Sequence, residues 1–194
     1  MKTNILIIAT IFCCLSFACK QKEKEEPVVK IQEETATTED SAKRGEHLVN
    51  AIGCHDCHTP KVFSEQGMDL DTNRLLSGYP ANNPLPSYDS ATAKSFVLFT
   101  MDLMSATGPW GTSFAANLTP DATGTGAWTE AQFINAIRNG KFKGLDGSRD
   151  LLPPMPWPSY RNLTDQDLKD IFAYLRTIKP VENVVPPPIP PQAQ

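Results

Sequence analysis

The stretch Cys54-His55-Asp56-Cys57-His58 decides how the rest of the chain is read. Two thiols one short turn apart, followed at once by a histidine, match the signature for covalent haem attachment. The chemistry requires this spacing. Each thiol adds to one of the two porphyrin vinyl groups, and the histidine is then held beneath the iron as its proximal ligand. Two other readings of these residues stay open. As a zinc site, Cys54, Cys57 and His58 supply three ligands, and the remaining histidines are His47 and His55, neither an obvious fourth. As a thiol redox pair, the motif would follow a strand, whereas the residues before it read as helix.

Working outward, three segments carry helical spacing. Asp40 or Ser41 can cap a first helix in which Gly45, Leu48, Val49 and Ile52 share a face, and Gly53 ends it one residue before Cys54. Thr129 and Gln132 form a capping-box pattern that opens a second helix through Phe133, Ile134 and Ile137, stopped by Gly140. Thr164 and Asp167 open a third, with Leu168, Ile171, Phe172 and Leu175 on one side and Pro180 as its limit. Between Thr59 and Pro120 the chain is turn-rich, with Ser77-Gly78-Tyr79-Pro80, Asn83-Pro84 and Thr107-Gly108-Pro109. Only Ser95–Thr100 offers a short strand or buried turn there. An irregular region this long in a compact domain usually wraps something functional.

An iron held by His58 has its opposite face open to a thioether, for which Met68, Met101, Met104 and Met155 are the candidates. Met155 is favoured. It lies in Leu151-Leu152-Pro153-Pro154-Met155-Pro156-Trp157-Pro158, where the prolines restrict the chain before folding. Met101 and Met104, beside Phe99 and Leu103, read as core filler. His55 and His47 read as exposed, Arg74 and Arg138 as possible propionate partners or solvated cations, and Trp128 and Trp157 as haem walls or core.

The amino terminus reads as an export and anchoring signal. Met1-Lys2 is followed by an apolar run from Ile5 to Phe17, too short to span a bilayer, and by Ala18-Cys19. Residues 1–18 are read as a lipoprotein signal peptide, with Cys19 as the lipid anchor. Residues 19–41 read as a charged tether: from Lys20 to Asp40 four lysines face seven acidic residues, with no apolar period. As a flexible coil it reaches about 25 Å root-mean-square, and about 75 Å fully extended. The domain occupies residues 42–180, and 181–194 read as a solvated Pro-rich tail. The 194 residues carry a net charge of −4, and no basic patch suits a nucleic acid backbone. No cysteine follows Cys57, which argues against a disulfide framework.

With these residues in hand, the chain resembles cytochrome c. The resemblance rests on the haem motif, Asn117-Leu118-Thr119-Pro120-Asp121, Gly124 to Trp128 with its following helix, and Pro154-Met155-Pro156-Trp157-Pro158-Ser159-Tyr160. It covers about residues 42–180, and is similar in kind to cytochrome c subunits of alcohol and sugar dehydrogenases. Such relatives often carry several haem motifs, whereas this sequence carries one. The resemblance implies an all-α cytochrome c fold, with short helices around one covalent haem c and a long insert between motif and axial Met. It assigns the ligand methionine to the Pro-Met-Pro context of Met155. It also implies that Gly45 lets the first helix cross the third beside Phe172 or Tyr174.

Closed His58/Met155 ligation would suit electron transfer rather than oxygen binding or bond chemistry, with methionine raising the potential. The expected function is an electron carrier, not an enzyme. It would be lipid-anchored in the bacterial cell envelope, face the periplasm, and exchange electrons with donor and acceptor redox proteins. Two alternatives remain: a haem subunit fixed in a dehydrogenase or reductase complex through the 59–120 insert, and an open-site haem enzyme or gas sensor. A large exposed apolar patch on the insert would favour the subunit.

Overall fold

The computed structural model describes residues 37–191, so the expectations for the signal peptide, Cys19 and most of the tether lie outside the described residues. The first helix, α1 (Thr38–Ala51), starts earlier than either Asp40 or Ser41 would allow as a cap. Thr37 is the cap and Asp40 its reciprocal partner: the Thr37 hydroxyl receives the Asp40 N–H, and Asp40 receives the Thr37 N–H. Threonine at Thr37 with an acid three residues on is the capping-box pattern itself, which satisfies two N–H groups that a lone cap would leave unpaired.

A turn at Gly53 leads into α2 (Cys54–His58), which contains the whole motif. The other two expected helices form as read. α4 (Glu130–Asn139) is capped by Thr129 with Gln132 and ends at Gly140 in the left-handed region, and α6 (Asp165–Leu175) is capped by Thr164 with Asp167. Two single-turn helices, α3 (Ser90–Ala93) and α5 (Trp157–Tyr160), complete the α set, with a 3₁₀ turn at Phe142–Gly144.

Helices dominate, but the fold is not purely α. The insert holds a two-stranded hairpin, β1 (Lys61–Ser64) with β2 (Gly67–Leu70), and a three-stranded antiparallel sheet, β3 (Leu98–Phe99), β4 (Ser105–Gly108) and β5 (Gly111–Phe114). In register, Lys61 faces Leu70 and Ser105 faces Phe114. β4 and β5 escape a hydrophobic pattern because their buried residues are small and hydroxylated, and Thr107 and Thr112 share a hydroxyl hydrogen bond of 2.8 Å across the pair. The expected strand at Ser95–Thr100 shrinks to Leu98–Phe99, and Phe96, Val97 and Phe99 are exposed rather than buried.

The core lies where α1, α4 and α6 meet. Val49, Leu76, Phe133, Leu168, Ile171, Phe172 and Leu175 are buried together, with Leu48, Ile52, Cys54, Trp128 and Tyr174 packed around them. The Phe133 and Phe172 rings stack with centroids 5.3 Å apart. Gly45 sits at the α1/α6 crossing: a Cβ there would lie 1.9 Å from the Asp170 carbonyl oxygen and 2.9 Å from Tyr174 Cβ. Only a bare Cα lets the two backbones touch, and Tyr174, not Phe172, is the side chain beside it. Arg44 then ties the helices at their rim, its Nε 2.9 Å from the buried Asp170 carboxylate and its NH2 on Asp167.

Residues 181–191 are no loose tail. They lie along the insert, where Ile189 exchanges two backbone hydrogen bonds with Thr112, at 2.7 and 3.0 Å. Val181 and Asn183 meet the side chains of Asn117, Thr119 and Thr123. Among the described residues no helix is long and apolar enough to cross a membrane.

Candidate functional site

α2 places its residues by position alone. Cys54, Cys57 and His58 stand at i, i+3 and i+4, so all three share one face of the turn. Lys61 closes the carbonyl end of this helix, its ammonium donating to the carbonyls of His55 (3.2 Å), Asp56 (2.9 Å) and Thr59. Thr59, wholly buried, receives the Leu76 N–H at 2.9 Å and so pins the end of the motif to the core.

The histidines separate cleanly. His58 Nδ1 lies 2.8 Å from the Ala116 carbonyl oxygen. A carbonyl only accepts, so Nδ1 carries the proton and Nε2 presents its lone pair. Burial pushes the His58 imidazole below its ordinary value, with the Ala116 bond opposing in part, so the ring is neutral at pH 7. Orientation by a carbonyl on the far nitrogen is what a metal-ligating imidazole requires. His55, expected to be exposed, is instead buried, with Nδ1 2.8 Å from the Thr59 hydroxyl. His47 is exposed on α1 as read.

The thiols decide between the readings of the motif. Cys54 and Cys57 form no disulfide. Burial pushes the Cys54 thiol up to about 12 and raises Cys57 as well. A redox-active pair needs a lowered thiol, so that reading has no support here. Among the described residues no group of three or more His, Cys, Asp or Glu side chains is arranged to hold a metal ion, so nothing there supports the zinc reading. Neutral thiols on one face, beside an imidazole with its distal nitrogen open, fit a porphyrin attached through both sulfurs.

Met155 sits half-buried in a segment pinned at both ends. Before it, the Ser113 hydroxyl of β5 donates to the Pro153 carbonyl at 2.5 Å. After it, the Tyr160 hydroxyl donates at 2.6 Å to the carbonyl of Ile52, two residues ahead of Cys54. Burial is the main cause that raises the Tyr160 phenol above its ordinary value. Trp157 packs on the bare Cα of Gly140. The Pro-Met-Pro segment is therefore fastened beside the motif although about a hundred residues separate them in sequence. Sequence reasoning had no signal for Ser113 or Tyr160 as its anchors.

The other methionines divide differently from expectation. Met104 is core at 1% exposure, but Met101, also read as core filler, is 83% exposed in the turn that joins β3 to β4. Met68 is exposed on β2. Arg138 is committed to the turn before α6, donating to the carbonyls of Arg161 and Leu163 and to Asp165. Arg74 pairs with Asp71 at 2.8 Å. Trp128 joins the rim of the core.

Comparison with known proteins agrees with this geometry. The cytochrome c family model matches residues 42–179. The chain is 31% identical over 148 residues to the fructose dehydrogenase cytochrome subunit of Gluconobacter japonicus, a match covering 75% of this chain and 23% of that one. It is 33% identical over 133 residues to the gluconate 2-dehydrogenase cytochrome c subunit of Pantoea cypripedii, covering 68% and 22%. It is 44% identical over 75 residues to the cytochrome c subunit of the quinone alcohol dehydrogenase of Gluconacetobacter polyoxogenes, covering 38% and 15%. Each match spans less than a quarter of the relative's length. A motif on one helical face, an imidazole oriented by a carbonyl and a family match across both lead to one conclusion: this chain belongs to the cytochrome c family.

Proposed function

We propose that the chain carries a single haem c, bound through Cys54 and Cys57 and ligated by His58 and Met155, and passes electrons between redox proteins of the cell envelope. The observation that carries this reading is the His58 ring, whose Nδ1–H is spent on Ala116 so that Nε2 is the ligating atom. When bound, the haem supplies a one-electron couple between Fe(II) and Fe(III). The protein's part is to hold both ligands still. α2 fixes His58, while Ser113 and Tyr160 hold the segment on which Met155 is carried. Cys19 anchors the chain to a membrane in this reading, supported by the apolar run that ends in Ala18-Cys19, and residues 20–36 add reach.

The insert favours a lasting partner over a purely passing one. Phe63 at 60%, Phe96 at 63% and Met101 at 83% exposure stand out from it, with Val62, Met68, Val97 and Phe99 also exposed. Large apolar residues so exposed mark surfaces that associate. A dehydrogenase subunit is the partner this supports, in keeping with the names of the relatives.

The test is the optical spectrum of the full chain matured in an export-competent host. Haem that resists acid extraction, a low-spin spectrum in both oxidation states and the weak long-wavelength Met-to-Fe(III) band are expected. A high-spin iron, or carbon monoxide binding to the native reduced protein, would overturn closed ligation. For the partner, Phe63→Glu with Phe96→Glu should abolish co-purification with a dehydrogenase chain from the native host. Unaltered retention would refute the role of the insert.

A further inference from the structure

The carbonyl that orients His58 belongs to an exposed residue, Ala116, in a segment with no regular structure of its own. Something else must hold it. Two stretches of the insert lie against each other here: Tyr79 N–H donates to the Ala115 carbonyl at 2.9 Å and Leu118 N–H to the Leu76 carbonyl at 2.9 Å. Gly78 is buried between them at φ +77°, and a Cβ on it would lie 2.6 Å from the Ala116 carbonyl carbon and from the Asn117 nitrogen. Its own N–H donates at 2.8 Å to the carbonyl of His58. One stretch therefore holds the His58 backbone and the other its ring.

Asn183 bridges that arrangement from the carboxy-terminal strap. Its side-chain Nδ2 donates to the carbonyls of Ser77 at 2.7 Å and Tyr79 at 2.9 Å, straddling Gly78, and its Oδ1 receives the Ala81 N–H at 3.0 Å. Its backbone N–H donates to the Thr123 hydroxyl at 2.9 Å. From the other stretch, Asn117 Nδ2 reaches the carbonyls of Val181 at 2.9 Å and Asn183 at 3.4 Å. The polar capacity of the Asn183 amide is thus used to fasten Ser77–Ala81, while its main chain is fastened to Asn117 and Thr123. An unpaired buried carbonyl is costly, so the two stretches are kept in one register by satisfying them together.

We propose that Asn183 is a positioning residue for the axial imidazole, and that the 181–191 strap sets the hydrogen bond between His58 Nδ1 and the Ala116 carbonyl. This rests on the reading of His58 as an iron ligand. A firm bond to that carbonyl increases electron donation by the imidazole and favours the oxidised iron. Loosening it shifts the reduction potential upward.

The experiment compares full-length holoprotein with Asn183→Ala and Asn183→Leu. Potentiometric titration gives the potential, and proton NMR of the reduced protein gives solvent exchange of the His58 Nδ1–H. The expected result is an upward shift in potential together with exchange faster by about tenfold, the response to losing one net hydrogen bond from the network. Thr123→Val removes the hydroxyl that receives both the Asn183 N–H and the Asn117 amide and donates to Asp121, leaving the Asn183 side chain in place; it should move both readouts the same way by less, and it decides the matter where the Asn183 variants do not fold. Asn135→Ala, which deletes an amide bonded to Gly144 and Asp146 elsewhere, serves as the control and should move neither. Wild-type potential and exchange in the variants, or equal shifts in the control, would overturn the proposal. A wild-type chain that takes up no covalent haem would overturn the cofactor reading first, and the role of Asn183 with it.

Discussion

Gly45→Ala tests whether the α1/α6 contact has been understood. The added methyl would lie 1.9 Å from the Asp170 carbonyl oxygen and 2.5 Å from its carbon, both backbone atoms of a helix that cannot rotate away. Reaching ordinary contact requires the helices to part by about 1.5 Å. Across a helix contact of roughly 100 Å², that opens on the order of 150 Å³, which at about 24 cal/mol per Å³ costs about 3.5 kcal/mol. Alanine offsets part of this, because replacing a mid-helix glycine stabilises by up to about 1 kcal/mol. The net loss is about 2.5 kcal/mol, and a domain of this size should melt roughly 8 °C lower. Thermal unfolding of the holoprotein followed by far-ultraviolet circular dichroism measures it. Asn50→Ala, on the exposed side of α1, is the comparison and should lie within about 0.5 kcal/mol of wild type. A Gly45→Ala protein as stable as wild type, or more so, would refute the reasoning. Helix propensity would then have outweighed a close approach that the backbones do not need.

Further outcomes follow from the same contacts. Met155→Ala should lower the reduction potential, remove the long-wavelength band and open the iron to carbon monoxide; unchanged spectra would exclude Met155 as ligand. Arg44→Ala strips the buried Asp170 carboxylate of its guanidinium, leaving it the Gln166 amide at 2.7 Å. The loss, read from denaturant midpoints, should be about 3 kcal/mol, and a change within error would show that the pair contributes nothing. The Thr164 hydroxyl, then its backbone N–H and Arg44, hold the Asp167 carboxyl below its ordinary 3.8 against the opposing effect of burial. A carboxylate depressed in the folded state stabilises above its unfolded value and loses that contribution as pH falls through the folded one. Asp167→Asn should therefore be clearly less stable than wild type at pH 7, with the gap closing below about pH 4. A gap independent of pH would assign the effect to packing.

What could be read in advance is a matter of range along the chain. The capping boxes at Thr129 and Thr164 and the glycine stop at Gly140 were legible because a cap acts within one helical turn. Thr37 obeyed the same rule and was passed over for Asp40, whose carboxylate serves as the reciprocal partner. Gly45 was legible through the family resemblance, and the motif through its spacing. The insert was not. Its buried strands, such as Ser105–Gly108, are small and hydroxylated, and several of its large apolar residues, Phe63, Phe96 and Met101 among them, face outward while Leu76 and Met104 are buried, so hydrophobic patterning is no guide there.

The sequence by itself determined the two thiols, the adjoining imidazole and the three longer helices α1, α4 and α6, because these depend on residues three or four positions apart. Only the tertiary structure decided that Ala116 orients His58, that Tyr160 ties the Met155 segment to Ile52, and that Asn183 clasps the carbonyls on either side of Gly78. Those bonds join positions 58, 108, 106 and 104 residues apart. They form between single polar atoms with no periodic pattern to announce them. Each depends on segments distant in the sequence being packed side by side, which happens only once the chain has folded.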